Sequence, residues 1–145
     1  QPINDEENPQ DNPPNRSKNS KEIGAWGESI AKRYLDEKFP TKNVVWLNGK
    51  GNTGVGYDFV IKENEDDIFY YEVKTKIDNT PELFEVSGTQ WGWAKKLYSD
   101  GHGDSYRILL ISNAGKKDCT IKENKNPVNL WKIDKIYADP VNIEL

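Results

Sequence analysis

Tyr57-Asp58-Phe59-Val60-Ile61, followed at hairpin distance by Phe69-Tyr70-Tyr71-Glu72-Val73-Lys74, is the stretch on which the fold turns. Side chains on a strand alternate between faces, so Glu72 and Lys74 project together while Val73 points the other way, and Asp58 shares a face with Val60. If the polar stretch Glu63 to Asp67 is the hairpin loop, Lys62 pairs with Ile68 and Val60 with Tyr70, and Asp58 falls opposite Glu72. Two like charges facing each other on a sheet repel. Folding alone does not favour the pair, whereas a bound cation would turn repulsion into ligation. Oxygen ligands of this kind suit Mg²⁺ or Mn²⁺, and Mg²⁺ is commonly held by one or two carboxylates, waters and a substrate phosphate. Lys74 would then orient the attacking water or offset charge building on phosphorus.

Outward from this pair, a first helix is expected from near Ser20 to near Phe39, where Ile23, Trp26, Ile30, Tyr34 and Leu35 recur at helical spacing and Pro40 stops it. Glu28 sits at the edge of that apolar stripe, either as a solvated helix glutamate or as a group within reach of the cleft. Asn43 to Leu47 reads as a first strand. The loop from Gly49 to Gly56 formally contains G-x-G-x-x-G, but a strand follows it rather than a helix, and no Lys-Ser/Thr follows Gly56. Both nucleotide-loop readings therefore fail, leaving a loop at the cleft mouth with Lys50 as a phosphate contact.

The third strand, through Lys74, should run to Lys76 or Ile77, with Leu83 to Val86 short and extended. Ser87-Gly88-Thr89-Gln90 fits a capping box, which gives Gln90 a structural reading beside an active-site one. The helix that follows carries Trp91, Ala94, Leu97 and Tyr98 inward and ends at Asp100-Gly101. Tyr106 to Ser112 is an apolar, central strand, and Cys119-Thr120-Ile121 and Val128 to Ile133 are expected as further strands. His102, between two glycines, is read as part of a turn rather than as an acid/base group.

Composition bounds the chemistry. The 145 residues suffice for one domain with a proper core, no run approaches the roughly 20 apolar residues of a membrane helix, and no secretory signal is seen. A single cysteine, Cys119, precludes an internal disulfide and fits a reducing, intracellular compartment, cytoplasmic or nuclear; with one histidine, a Cys/His zinc site is also excluded. The net charge is −4, but Asp5, Glu6, Glu7 and Asp11 stand together near the start, and setting them aside leaves 20 acidic and 20 basic residues. A neutral domain argues against strong non-specific binding of nucleic acid. Residues 1–19 read as a disordered, acidic, Asn/Pro-rich linker and residues 20–145 as the folded domain. The first residue is not methionine, which with the linker suggests a piece cut from the C-terminal end of a larger protein.

Asp58 followed by Glu72-Val73-Lys74 resembles the core of the PD-(D/E)XK nuclease superfamily. Ile23-Gly24-Ala25-Trp26-Gly27-Glu28, Val45-Trp46-Leu47-Asn48, Gly56-Tyr57-Asp58-Phe59, Tyr71-Glu72-Val73-Lys74-Thr75 and Phe84-Glu85-Val86-Ser87 before Gln90-Trp91 are together similar to the NO VEIN C-terminal domain family, a branch of that superfamily. The resemblance implies an α/β, restriction-endonuclease-like mixed sheet flanked by helices, with a core of helix, three strands, helix and strand. It implies metal ligation by Asp58, Glu72 and the backbone carbonyl of Val73, a catalytic Lys74, and support from Glu28. Gln90 departs from the family pattern, in which glutamate is more usual. A Mg²⁺-dependent or Mn²⁺-dependent endonuclease is expected, acting on DNA rather than RNA, fused to parts such as an ATPase or helicase, and dimeric if it cuts both strands. The alternative on the same fold is a non-catalytic module that binds nucleic acid or docks a neighbouring domain. A third reading uses exposed aromatics such as Trp46 or Trp93 for protein interaction alone.

Overall fold

A computed structural model describes residues 20–47, 55–78 and 86–137. The expectations for residues 1–19, Lys50, Leu83 to Glu85 and the extreme tail lie outside the described residues. In chain order the elements are α1 (Ser20–Lys38), β1 (Asn43–Trp46), β2 (Phe59–Lys62), β3 (Ile68–Thr75), α2 (Gly88–Ser99), a 3₁₀ turn (Gly103–Ser105), β4 (Tyr106–Ser112), β5 (Thr120–Lys125) and α3 (Pro127–Lys132). The strands form one mixed sheet in the order β1-β2-β3-β4-β5, with β3 and β4 parallel and every other pair antiparallel. The fold class is α/β, and α2 is the crossover that a parallel pair requires.

The β2–β3 hairpin has the register read from the sequence: Lys62 faces Ile68 and Val60 faces Tyr70. Its loop is closed locally. Asn64 Oδ1 accepts from the N–H groups of Asp66 and Asp67, both at 2.9 Å, and Glu63 N–H donates to Asp67 O at 2.8 Å. An Asx turn of this kind fixes which residues face each other beyond it.

Period-two alternation divides β3 between two cores. Tyr71 and Val73 join Phe59, Ile61, Leu109 and Ile111 against Ala31 and Leu35 of α1. On the other face, Tyr70 and Ile108 border a second cluster in which Tyr106 packs with Trp91, Ala94 and Leu97 of α2 and Val128 of α3. Both faces of β3 and β4 are covered, which accounts for their nearly continuous apolar sequences.

Helix α1 crosses β3 closely at Gly27. A Cβ there would overlap Thr75 Oγ1 and lie 2.6 Å from Thr75 Cβ. Alanine is the better helix former by about 1 kcal/mol, so propensity alone predicts that Gly27→Ala stabilises. The contact predicts the reverse: an overpacking cost of roughly 1–3 kcal/mol. Thermal unfolding is expected to fall by several degrees; a rise would show that the helix yields without strain.

Three expectations are corrected. Val128 to Ile133 forms not a strand but a helix, α3. Asn126, at φ 58°, caps it by accepting from Asn129 N–H at 3.2 Å, and Pro127 takes the first turn, where its missing N–H and fixed φ cost nothing. The apolar run masked a helix start that the Asn-Pro pair encodes. The centre of the sheet is β3; β4 is interior, paired on both sides. The third strand ends at Thr75, although Lys76 N–H still donates to Ile111 O at 2.7 Å.

Candidate active site

Asp58 lies just before β2, where the ladder slips by one residue. Odd-numbered residues of β2 form the hydrogen-bonded pairs, as Glu63 with Asp67 shows, so Asp58 and Glu72 would meet as a close non-bonded pair. Instead Asp58 N–H donates to Tyr71 O at 2.8 Å, giving Tyr71 two partners, 58 and 59, in the manner of a β-bulge. The bond that β3 loses is replaced by a side chain: Val73 N–H donates to Asp58 Oδ2 at 2.8 Å. Leu47 N–H holds the Asp58 carbonyl at 2.9 Å from the β1 side. Upstream, Gly56 has φ 86°, and a Cβ there would meet Thr89 O at 3.0 Å; its own carbonyl accepts from the buried Tyr106 hydroxyl at 2.9 Å.

This anchoring brings the two carboxyl groups together. Asp58 and Glu72 are buried, at 7% and 4% exposure, and close enough that each shifts the proton affinity of the other. Burial, then the charge of Glu28, pushes Asp58 up to about 6 against the pull of the Val73 N–H and Lys74. Burial, then the charge of Asp58, pushes Glu72 up to about 8 against the pull of Lys74. Both carboxyls thus stand above the ordinary carboxylate range, Glu72 further than Asp58. Among the described residues no donor reaches the buried Glu72 Oε1.

Lys74 and Gln90 complete the polar cluster. Lys74 Nζ is 3.4 Å from Glu72 Oε2 and donates to Gln90 Oε1 at 3.3 Å; Gln90 Nε2 donates to Glu72 Oε2 at 2.7 Å. The α2 capping box is also present: Gln90 Oε1 accepts from Ser87 N–H at 2.9 Å, and Ser87 Oγ accepts from Gln90 N–H at 3.1 Å. The two readings of Gln90 thus coexist. The cap directs its carbonyl toward Ser87 and Lys74 and turns its NH₂ to Glu72.

Glu28 is half-buried, accepts from Trp46 Nε1 at 2.8 Å, and lies near enough to raise both carboxyls. Trp46 stacks on Phe59 with ring centroids 5.7 Å apart. It is a half-buried anchor for Glu28, not an exposed interaction residue, and Trp93 is likewise half-buried, against Tyr57 and Tyr70. Sequence reasoning missed these links because the partners lie 18 and more residues apart. The Val45-Trp46-Leu47 segment was the available signal. His102 is exposed and makes no side-chain cap bond to the 3₁₀ turn.

Among the described residues no three or more His, Cys, Asp or Glu side chains converge to hold an ion, and no helix is long and apolar enough to cross a membrane. A cation here would draw on two carboxylates, Asp58 and Glu72, with the Val73 carbonyl, waters and a phosphate supplying the rest.

Residues 27–123 match the family model described as Protein NO VEIN, C-terminal. The match covers every group of this cluster. Two Arabidopsis thaliana proteins are similar over 112 residues, 77% of this chain: Protein NO VEIN at 29% identity and Protein NO VEIN-LIKE at 30%. The chain spans only 4% and 16% of their respective lengths, so in these relatives the domain is a small part of a larger protein. No solved structure matches significantly. With two thirds of its length on the family model, including the strands that carry Asp58, Glu72 and Lys74, this chain belongs to the NO VEIN C-terminal family.

Proposed function

We propose that this domain is a metal-dependent nuclease of the PD-(D/E)XK type, hydrolysing phosphodiester bonds in DNA as a module of a larger intracellular protein. The observation that carries the reading is the convergence of Asp58, Glu72 and Lys74 at one end of the β2–β3 pair, with Glu28 at its edge. Two adjacent buried carboxyls are costly to ionise and suit a divalent cation, and the unmet Glu72 Oε1 is an acceptor such an ion would use. Asp58, Glu72 and the Val73 carbonyl would hold Mg²⁺ or Mn²⁺, which when bound polarises a phosphoryl oxygen and acidifies water.

The chain's own groups divide the remaining work. Lys74, held between Glu72 and Gln90, presents a fixed positive charge where negative charge grows on the phosphoryl oxygens. Gln90 keeps the Glu72 carboxyl and the Lys74 ammonium in register from a rigid helix start. Glu28, fixed by Trp46, adds negative potential that favours a cation over an anion at the cluster.

The test is cleavage of supercoiled plasmid, single-stranded DNA and RNA with Mg²⁺ and with Mn²⁺. Cutting of at least one substrate that stops with EDTA is expected. All three left intact with both metals would overturn the reading. One observation favours the alternative of a non-catalytic module: the Gln90 amide already satisfies Glu72 Oε2. Mg²⁺ calorimetry separates the two, since binding abolished by Asp58→Ala belongs to the nuclease, and nucleic-acid binding indifferent to metal belongs to the module.

A further inference from the structure

Three aromatic rings lie beside the polar cluster, each attached to one of its members. Tyr57 precedes Asp58, Tyr70 lies two residues before Glu72 on the same face of β3, and Trp93 lies three residues after Gln90 on the adjoining surface of α2. Ring centroids are 4.7 Å apart for Tyr57 and Tyr70, 5.9 Å for Tyr57 and Trp93, and 5.5 Å for Tyr70 and Trp93. All three residues are half-buried: they border the second core without being sealed into it. Among the described residues the buried Trp93 Nε1 donor has no acceptor. Such orphans are rare in finished cores and ask for an explanation.

We infer that Tyr57, Tyr70 and Trp93 form a stacking platform for unpaired nucleobases, which makes single-stranded nucleic acid the substrate class of the neighbouring site. The inference rests on the nuclease reading for its substrate, but its chemistry is that of binding. Aromatic faces take up bases of any sequence, and a duplex offers no free base face because each is stacked within the helix. The strand can also be followed outward: exposed Lys62 lies four residues from Asp58 along β2, on the face it shares with Tyr70 and roughly 13 Å away at the usual rise per residue, and would take a phosphate beyond the platform. With 20 acidic and 20 basic residues outside its acidic start, the chain has no net positive charge with which to hold a polyanion, so stacking rather than charge must carry most of the affinity.

The experiment measures binding of a 12-nucleotide oligothymidylate, an oligoadenylate and a blunt duplex to the full 145-residue chain in EDTA, by anisotropy and by quenching of tryptophan fluorescence. Expected are binding of both single strands with quenching, at least tenfold weaker binding of the duplex, and a shallow dependence on salt. Tyr70→Ala should weaken the single strands about tenfold and Tyr70→Phe should not. Lys62→Ala, an exposed change that leaves both cores intact, should lower the salt slope by about one. Duplex bound as tightly as single strand, or no binding of either, overturns the platform. A Tyr70→Ala protein with the parental melting temperature and parental affinity does so too. Since no cleavage is read, a domain that cuts plasmid but fails here loses only the platform, and one that binds single strands without cutting loses only the nuclease.

Discussion

Lys74→Met is expected to lower Mg²⁺-dependent cleavage by about 10²–10³-fold, the usual cost of removing one charge-stabilising donor from a reacting phosphoryl or acyl group. The side chain is only 15% exposed and is held by Glu72 and Gln90, so it has little freedom for another task. Its charge also lowers the proton affinity of both carboxyls, so Lys74→Met shifts their ionisation upward and the comparison belongs on the alkaline plateau of each protein's own pH–rate profile. Glu72→Gln should behave differently. It removes the metal ligand and the activity with it, yet it also removes a buried acid whose ionisation opposes folding. The metal-free variant should consequently melt above the parent at alkaline pH, a gain in stability coupled to loss of function that marks a functional residue. Calorimetry distinguishes the two substitutions: Mg²⁺ still binds Lys74→Met and no longer binds Glu72→Gln. Either variant cutting at the parental rate would remove these side chains from the mechanism.

Much of the fold was legible because it is encoded locally. The hairpin register follows from a polar five-residue loop whose Asn64 side chain closes the turn, and the start of α2 follows from the Ser87 and Gln90 box. Face-sharing of Glu72 and Lys74 needs only the period of a strand. What escaped the sequence depends on contacts made across the fold. The slip at Asp58, which turns its carboxylate onto Val73 N–H, appears only once β1, β2 and β3 are docked. Glu28 could be placed at the margin of an apolar stripe, but its fixation by Trp46 depends on α1 crossing β3 at Gly27. Gln90 posed a choice between cap and site that has no basis in three dimensions, since an amide has two ends and each is used. The one helix mistaken for a strand, α3, shows a strong local signal, Asn-Pro, outweighed by a weaker apolar pattern.

The affinity for Mg²⁺ should rise steeply with pH. Both carboxyls must be ionised to ligate, and they hold protons up to about 6 at Asp58 and about 8 at Glu72. Between those values one proton leaves for each ion bound, giving about tenfold in affinity per pH unit; below about 6 two leave, giving about a hundredfold. Above about 8 the dependence should level off. Stability of the metal-free domain runs the other way. Folding raises both groups above their ordinary values of 3.8 and 4.5, so the folded state binds more protons than the unfolded chain in the intervening range. Their stabilising contribution is complete below about 4 and disappears as pH climbs through about 8. These two groups therefore make the metal-free domain melt higher at pH 5.5 than at pH 8.5, the reverse of a salt-bridged carboxylate, and saturating Mg²⁺ should invert that order by neutralising the ionised pair. Melting curves at the two pH values, with EDTA and with Mg²⁺, check both signs together. A metal-free domain most stable at pH 8.5, or a Mg²⁺ affinity flat between pH 6 and 8, would mean that the carboxyls of Asp58 and Glu72 are not the coupled, proton-holding pair that ion binding at this site requires.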